Sequence, residues 1–285
     1  MLDTHCHIQF NAFKDDAEEV IKRCQDKNCA MVVVGSQKDT SERAIKYAEK
    51  HGAMYATIGL HPVHTSHTEV DEEEINFKTR EENFDYELYK KMAGNKKVVA
   101  IGECGIELFH IPEGMTKEEI LDKQIPVFEA QIKLAQELNL PLIIHIREAY
   151  EETYEILKKH GVNHGVIHCY TGNWENGAKF LDLGLHLGFT GVITFPPKKT
   201  SPQDQIKLLE VVRECPIDKI LIETDAPYLA PQKYRGERAE PWMIEETAEK
   251  IGEIKGLLKE EVLRITEKNG RILFGISLDN SPNMF

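Results

Sequence analysis

The sequence predicts an α/β chain folded as one (β/α)8 TIM barrel, and two observations carry that prediction. Eight short apolar runs recur along the 285 residues, each followed by an amphipathic segment. Five of those runs end in residue types able to ligate a metal, and the C-terminal ends of the strands are where such barrels carry their active sites.

The elements follow in order. Residues 1–6 are apolar and β-prone and predict the first strand; residues 15–27 predict the first helix. Met31-Val32-Val33-Val34 marks a strand over 30–35, a continuous apolar run of the kind buried on both faces in a parallel sheet. A helix over 40–51 and a strand over 54–59 come next. The stretch 65–85 is acidic and without clear period, and reads as a surface loop or short helix whose 71–74 run is solvated. Further on, helices are expected over 86–92, 117–138, 149–160, 174–183 and 202–214, and strands over 98–102, 141–146, 165–169, 186–190 and 219–223. In the 117–138 helix, Val127, Phe128, Ile132, Ala135 and Leu138 recur at helical spacing. Helices over 241–254 and 259–274 close the chain. No linker or low-complexity tract interrupts it, so residues 1–285 read as one domain.

Composition sets outer limits. At 41% hydrophobic and 29% charged the chain has ample material for a core. A formal charge of −13 argues against a broad basic nucleic-acid face, but leaves open an enzyme that handles phosphate through divalent cations. No apolar run reaches the roughly 18–20 residues of a membrane span. Residues 1–6 read directly as a strand with no signal core, so a cytoplasmic location is the expectation. Six cysteines lie scattered without a CxxC pair. Cys6, Cys104 and Cys169 directly follow candidate ligands and are read as small buried apolar residues.

The chemistry concentrates at the strand ends. His5 and His7 alternate on one strand face, about 6–7 Å apart along it. Glu103 follows the fourth strand, His145 ends the fifth, His168 the sixth, and Asp225 the eighth. Four imidazoles and two carboxylates suit Zn²⁺, Mn²⁺ or Mg²⁺. A carboxylate able to bridge implies two divalent ions about 3.5–4 Å apart. Asp225 is positioned to orient or deprotonate a water, and Asp225 and Glu103 are the candidate catalytic residues. His61, His64, Arg147, Tyr170 and Thr171 are candidates for the substrate side, with Arg147 able to offer a bidentate fork to phosphate. His51, His67, His110, His160, His164 and His186 match no motif and read as surface or loop residues. Trp174 and Trp242 read as packing at helix starts, with base stacking the alternative, and Lys198 and Lys199 equally as a solvated loop pair or a contact to nucleic-acid backbone.

Six landmarks give the chain a family likeness: Asp3-Thr4-His5-Cys6-His7, Gly59-Leu60-His61-Pro62-Val63-His64, Ile101-Gly102-Glu103-Cys104-Gly105-Ile106-Glu107, Pro141-Leu142-Ile143-Ile144-His145-Ile146-Arg147, His168-Cys169-Tyr170-Thr171-Gly172, and Ile222-Glu223-Thr224-Asp225-Ala226-Pro227. In these the sequence resembles, nearly end to end, the TatD family of metal-dependent hydrolases among the amidohydrolase-like barrels. The resemblance implies one ion held by His5, His7 and Asp225 and another by His145 and His168, with Glu103 bridging. It implies phosphodiester hydrolysis in DNA, at 3′ ends or in single strands, with a DNA-repair role at abasic or damaged sites. Some relatives act instead on D-aminoacylated tRNA, so a metal-dependent deacylase acting on tRNA, or another ester or amide hydrolase on the same barrel, is the alternative, and a non-catalytic metal-binding protein is a third reading. Glu103, where several amide hydrolases carry a carboxylated lysine, favours the phosphodiesterase. Two departures stand out: Glu107 where the family usually has Asp, and Ala239 where it usually has Asn. A monomer is the default expectation.

Overall fold

The computed structural model describes residues 1–66 and 81–277, together with the backbone of 69–72 and 75–78. His67 lies outside the described residues, as do the side chains of the 71–74 run.

Eight parallel strands form the barrel: β1 (Leu2–Cys6), β2 (Ala30–Val34), β3 (Met54–Ile58), β6 (Val98–Glu107), β7 (Leu142–Arg147), β8 (Gly165–Ile167), β9 (His186–Phe189) and β10 (Ile220–Ile222). They neighbour one another in chain order. Helices α1 (Ala17–Asp26), α2 (Lys38–Lys50), α3 (Tyr86–Ala93), α4 (Lys117–Leu138), α5 (Tyr150–Lys159), α6 (Trp174–Asp182), α7 (Pro202–Glu214), α8 (Ile244–Lys255) and α9 (Lys259–Leu273) alternate with them. The seam between β1 and β10 is closed by the segment that follows β10. Asp225 N donates to His5 O at 2.9 Å, His7 N to Ala226 O at 2.7 Å, and Thr4 Oγ1 to Ile222 O at 3.0 Å.

Alternation along the strands divides the core. Val32, Val34, Ile143, Val166 and Leu221 fill the barrel interior, plugged at the far end by Leu273, Phe274 and Ile276. Their strand neighbours Met31, Val33 and Ile144 join the layer shared with Val20, Ala44 and Phe128 of the helices. A polar layer at the C-terminal strand ends caps this interior.

Two expectations are corrected. Within 65–85 stands an antiparallel hairpin, β4 (Glu69–Glu72) on β5 (Ile75–Lys78), paired from Glu69 with Lys78 to Glu72 with Ile75. Its alternation of polar and apolar residues lasts at most four positions a side, too short to stand out from an acidic stretch. The fourth barrel strand, expected to stop at 102, continues as β6 to Glu107. Between Ile101 and Cys104 it spends three steps where β7 spends two, from Leu142 to Ile144, a β-bulge that re-aims the side chains beyond it. Gly102 and Gly105 make this possible: both lie at positive φ (+148° and +142°), and a Cβ on Gly105 would strike the His145 carbonyl.

Candidate metal centre

His5 is carried by β1 and His7 stands one residue beyond it. Their anchor is Asp3, fully buried, which accepts from Thr224 Oγ1 at 2.6 Å, Thr224 N at 3.0 Å and His5 N at 3.2 Å. Burial pushes the Asp3 carboxyl well above its ordinary value, and these hydrogen bonds only partly offset that. One side chain thus sets His5 and, through Thr224, its neighbour Asp225, which sits in the left-handed region at φ +59°.

His7 Nδ1 lies 2.8 Å from Val34 O, an acceptor only, so Nδ1 carries the proton and Nε2 offers a lone pair to the centre. That lone pair meets His5 Nε2 at 3.1 Å. Burial, followed by the neighbouring His168, lowers the His5 pKa. Two buried imidazole nitrogens this close, one of them a bare acceptor, suit a shared cation.

Glu103 stands in the middle, and its two oxygens face two different sets of imidazoles. Oε2 lies 3.6 Å from His5 Nε2 and 3.9 Å from His7 Nε2. Oε1 lies 3.2 Å from His145 Nδ1, 3.4 Å from His61 Nε2 and 3.9 Å from His168 Nε2. Burial opposes ionisation of Glu103, but His61, His145 and His5 outweigh it and hold the carboxyl well below its usual range. Asp225 Oδ1 lies 3.3 Å from His7 Nε2 and 3.6 Å from His5 Nε2, and its Oδ2 3.8 Å from His168 Nε2. Its carboxyl is likewise held low, with burial overcome chiefly by the neighbouring His168.

Three groups of donor atoms lie within 4.8 Å of one another: His5, His168 and Asp225; His5, His7 and Glu103; His61, Glu103 and His145. Nitrogen and carboxylate oxygen donors at this closeness, in a buried pocket, fit divalent cations. The grouping differs from the resemblance in one respect. His168 stacks on His5, with ring centroids 3.5 Å apart, and His61 stands beside Glu103 and His145 instead. His61 Nδ1 accepts from Val63 N at 3.2 Å, and burial depresses its pKa well below the ordinary value. A neutral His61 therefore carries its proton on Nε2 and presents a donor to the centre, not a lone pair.

Behind the centre stand two carboxylates: Glu107, noted in the sequence only as a departure from the family pattern, and Glu223, which sequence reasoning passed over. Glu107 Oε2 lies 3.2 Å from His145 Nε2 on the side away from Glu103, while its Oε1 accepts from Phe109 N at 2.6 Å and His110 N at 3.1 Å. Its pKa falls because His110 and His145 together outweigh burial. Glu223, fully buried, pairs with His168 Nδ1 at 2.9 Å and accepts from Cys169 N. Such carboxylates orient a ligating imidazole and raise its basicity. Burial disfavours the charged imidazoles, yet Glu103 and Glu107 lift His145 to about 9, and Glu223 and Asp225 lift His168 to about 10. The signal for Glu223 was present in the sequence: a Glu two residues before Asp225, inside an apolar run.

The other candidates are more dispersed. His64 is buried in the turn after β3, its ring 6.4 Å from that of His61. Arg147 ends β7 with its Cζ 4.0 Å from the Phe109 ring centre. Thr171 is exposed, its Oγ1 3.2 Å from Tyr150 Oη. Tyr170, expected at the mouth, is buried in the wall, and its hydroxyl donates to Asn173 O at 2.6 Å. His110, read as a surface residue, is a partly buried neighbour of Glu107 at 3.4 Å. Cys6 and Cys104 are buried, but Cys169 is partly exposed with Sγ 3.5 Å from Thr190 Oγ1. Trp174 packs on the core, and Trp242 donates to Glu240 Oε2 at 2.6 Å. Lys198 and Lys199 are exposed. No helix among the described residues is long and apolar enough to cross a membrane.

A parallel eight-stranded barrel with imidazoles and carboxylates converging at its C-terminal rim defines a metal-dependent hydrolase of the barrel type. The chain belongs to the TatD family: the family model described as TatD related DNase matches residues 2–275. It is 38% identical to the uncharacterized metal-dependent hydrolase YabD of Bacillus subtilis, over 97% of this chain and 100% of that protein. It is 31% identical to the 3′-5′ ssDNA/RNA exonuclease TatD of Pantoea ananatis, over 97% and 100%. The crystal structure of the TatD homologue YjjV from Escherichia coli superimposes with a TM-score of 0.81 at 26% identity, covering 97% of this chain and 98% of that one. The resemblance drawn from the motifs and the barrel expected from the strand pattern are both borne out.

Proposed function

We propose that this metal-dependent hydrolase cleaves phosphodiester bonds of single-stranded nucleic acid from the 3′ end, with two divalent cations held on either side of Glu103. The observation that carries the reading is the division of labour at Glu103, whose Oε2 faces His5 and His7 while Oε1 faces His61, His145 and His168. The Pantoea ananatis relative, a 3′-5′ ssDNA/RNA exonuclease, supports the substrate class.

His5, His7 and Asp225 would hold one cation, and His145 and His168 the other, with Glu103 common to both. When bound, the cations supply Lewis acidity toward a phosphoryl oxygen and acidify a water near neutral pH. The chain's own groups do the rest. Asp225, whose side chain is 16% exposed beside His7 and His5, takes the proton from the attacking water. His61, neutral and with Nε2–H turned inward, donates to a phosphoryl oxygen as charge develops there. Glu107 and Glu223 hold His145 and His168 from behind and limit their ring rotation. Local cations such as Arg147 favour the polyanion inside a chain of net charge −13.

The test is hydrolysis of 5′-labelled single-stranded DNA and RNA, blunt duplex and D-aminoacylated tRNA by wild type and Glu103→Ala, with Mg²⁺ or Mn²⁺ and with chelator. Stepwise shortening from the 3′ end that needs the cation and Glu103 is the expected result. A folded, cation-loaded protein that leaves every strand intact refutes the reading, and deacylation of the tRNA in the same samples would assign the alternative.

A further inference from the structure

Five large hydrophobic side chains are exposed among the described residues: Phe109, Ile111, Ile206, Leu258 and Ile272. Ile206 and Ile272 lie in the outer helices α7 and α9, and Leu258 caps α9. Phe109 and Ile111 follow β6, at the barrel end that carries the metal centre. Phe109 is 52% exposed and Ile111 37%.

Phe109 is held at both its backbone and its ring. Its backbone N–H is bonded to Glu107 Oε1 at 2.6 Å, the carboxylate whose other oxygen faces His145. The Arg147 guanidinium lies over the ring at 4.0 Å, and Arg147 comes two residues after His145 on β7. The Phe109 backbone is thus tied through the Glu107 side chain to the metal centre, while the residue keeps about half its surface open to solvent. A flat apolar surface so tethered, beside a cation, matches a nucleobase attached to a phosphate at the centre.

We infer that Phe109 is a stacking platform for the base next to the scissile phosphate, and that it makes the enzyme prefer unpaired, base-bearing 3′ ends. This rests on the phosphodiesterase reading above, and the experiment separates the two. Wild type, Phe109→Ala and Phe109→Trp are assayed on single strands whose 3′-terminal residue carries either a base or an abasic tetrahydrofuran. The same proteins, with Ca²⁺ present, are titrated against a strand ending in 2-aminopurine, whose fluorescence is quenched on stacking. The expected result is a wild-type preference for the base-bearing end that falls at least fivefold in Phe109→Ala and is retained in Phe109→Trp. Quenching should be strong with wild type and Phe109→Trp and largely lost in Phe109→Ala. Wild-type preference and quenching surviving in Phe109→Ala would overturn the assignment while leaving the nuclease reading intact. Wild type that cleaves neither strand would refute the nuclease reading, and wild type that gives no quenching would overturn this one.

Discussion

Replacing Glu223 by Gln isolates what a negative charge behind a ligand contributes. The side chain is fully buried, its Oε1 is 2.9 Å from His168 Nδ1, and it also accepts from Cys169 N. Gln keeps the shape and one oxygen, so the Cys169 bond survives and only the charge beside His168 is lost. A hydrogen bond to a charged group contributes about 1.5–3 kcal/mol and a neutral one about 0.5–1.5. The difference, about 1.4 kcal/mol, is tenfold in affinity, at the lower edge of the roughly 10–100-fold seen for lost outer partners of metal ligands. Glu223 is also the largest electrostatic influence raising the His168 pKa, now about 10, so the substitution should bring that imidazole down toward its ordinary value. Calorimetric titration of cation-free protein with Mn²⁺ reads the affinity, and the ring resonances of His168 in an NMR titration read its pKa. A Glu223→Gln protein with the wild-type fold, Mn²⁺ affinity within twofold of wild type and an unmoved His168 would refute the argument.

Other outcomes follow from the same geometry. Gly188→Ala should disrupt the centre as well as stability, because its Cβ would sit 2.5 Å from Glu223 Oε1 and 2.7 Å from Oε2. Overpacking of this kind typically costs about 1–3 kcal/mol, and a thermal melt with a parallel Mn²⁺ titration would show both losses. Asp225→Asn should cut turnover by at least about 100-fold, the lower end of what a general base contributes, with an unchanged circular dichroism spectrum; near wild-type turnover would remove Asp225 as the proton acceptor. In the cation-free protein, His145 at about 9 and His168 at about 10 both lie above the ordinary value of 6.5. The stability they contribute is fully present below about 6.5 and is lost as pH rises through 9 to 10. The cation-free melting temperature should therefore fall between pH 7 and 10, while cation affinity rises across the same window because loading displaces those protons. Proton release measured in two buffers of different ionisation enthalpy checks the second half; an affinity independent of pH would contradict it.

Much of the molecule was legible before its geometry. Runs such as Met31-Val32-Val33-Val34 can only be strands covered on both faces, and eight of them with helices between leave little choice but a barrel. His5, His7, Glu103, His145, His168 and Asp225 announced themselves by type and position and do converge. What could not be read was depth. Glu103 and Glu107 belong to one strand, yet one oxygen-rich group lies at the centre and the other behind His145, and the bulge after Ile101 decides which. Asp3 and Glu223 are fully buried carboxylates, and a sequence gives no sign whether an acid faces a cation or supports the residue that does. Tyr170 shows the converse: a residue inside a functional motif whose role here is to pack, its hydroxyl spent on Asn173 O.

The seam where β1 meets the chain after β10 has a consequence for how the protein comes into being. Asp3 and the Thr224 that binds it are 221 positions apart, and Asp225 bonds back to His5 across the same join. A chain emerging from the ribosome holds His5 and His7 long before Asp225, which follows His7 by 218 positions. No amino-terminal fragment carries a complete centre, and contacts of such span form late. A cation captured at the close adds stability through mass action, about 2.7 kcal/mol at a hundred times its Kd, and makes finishing the ring and arming it a single event.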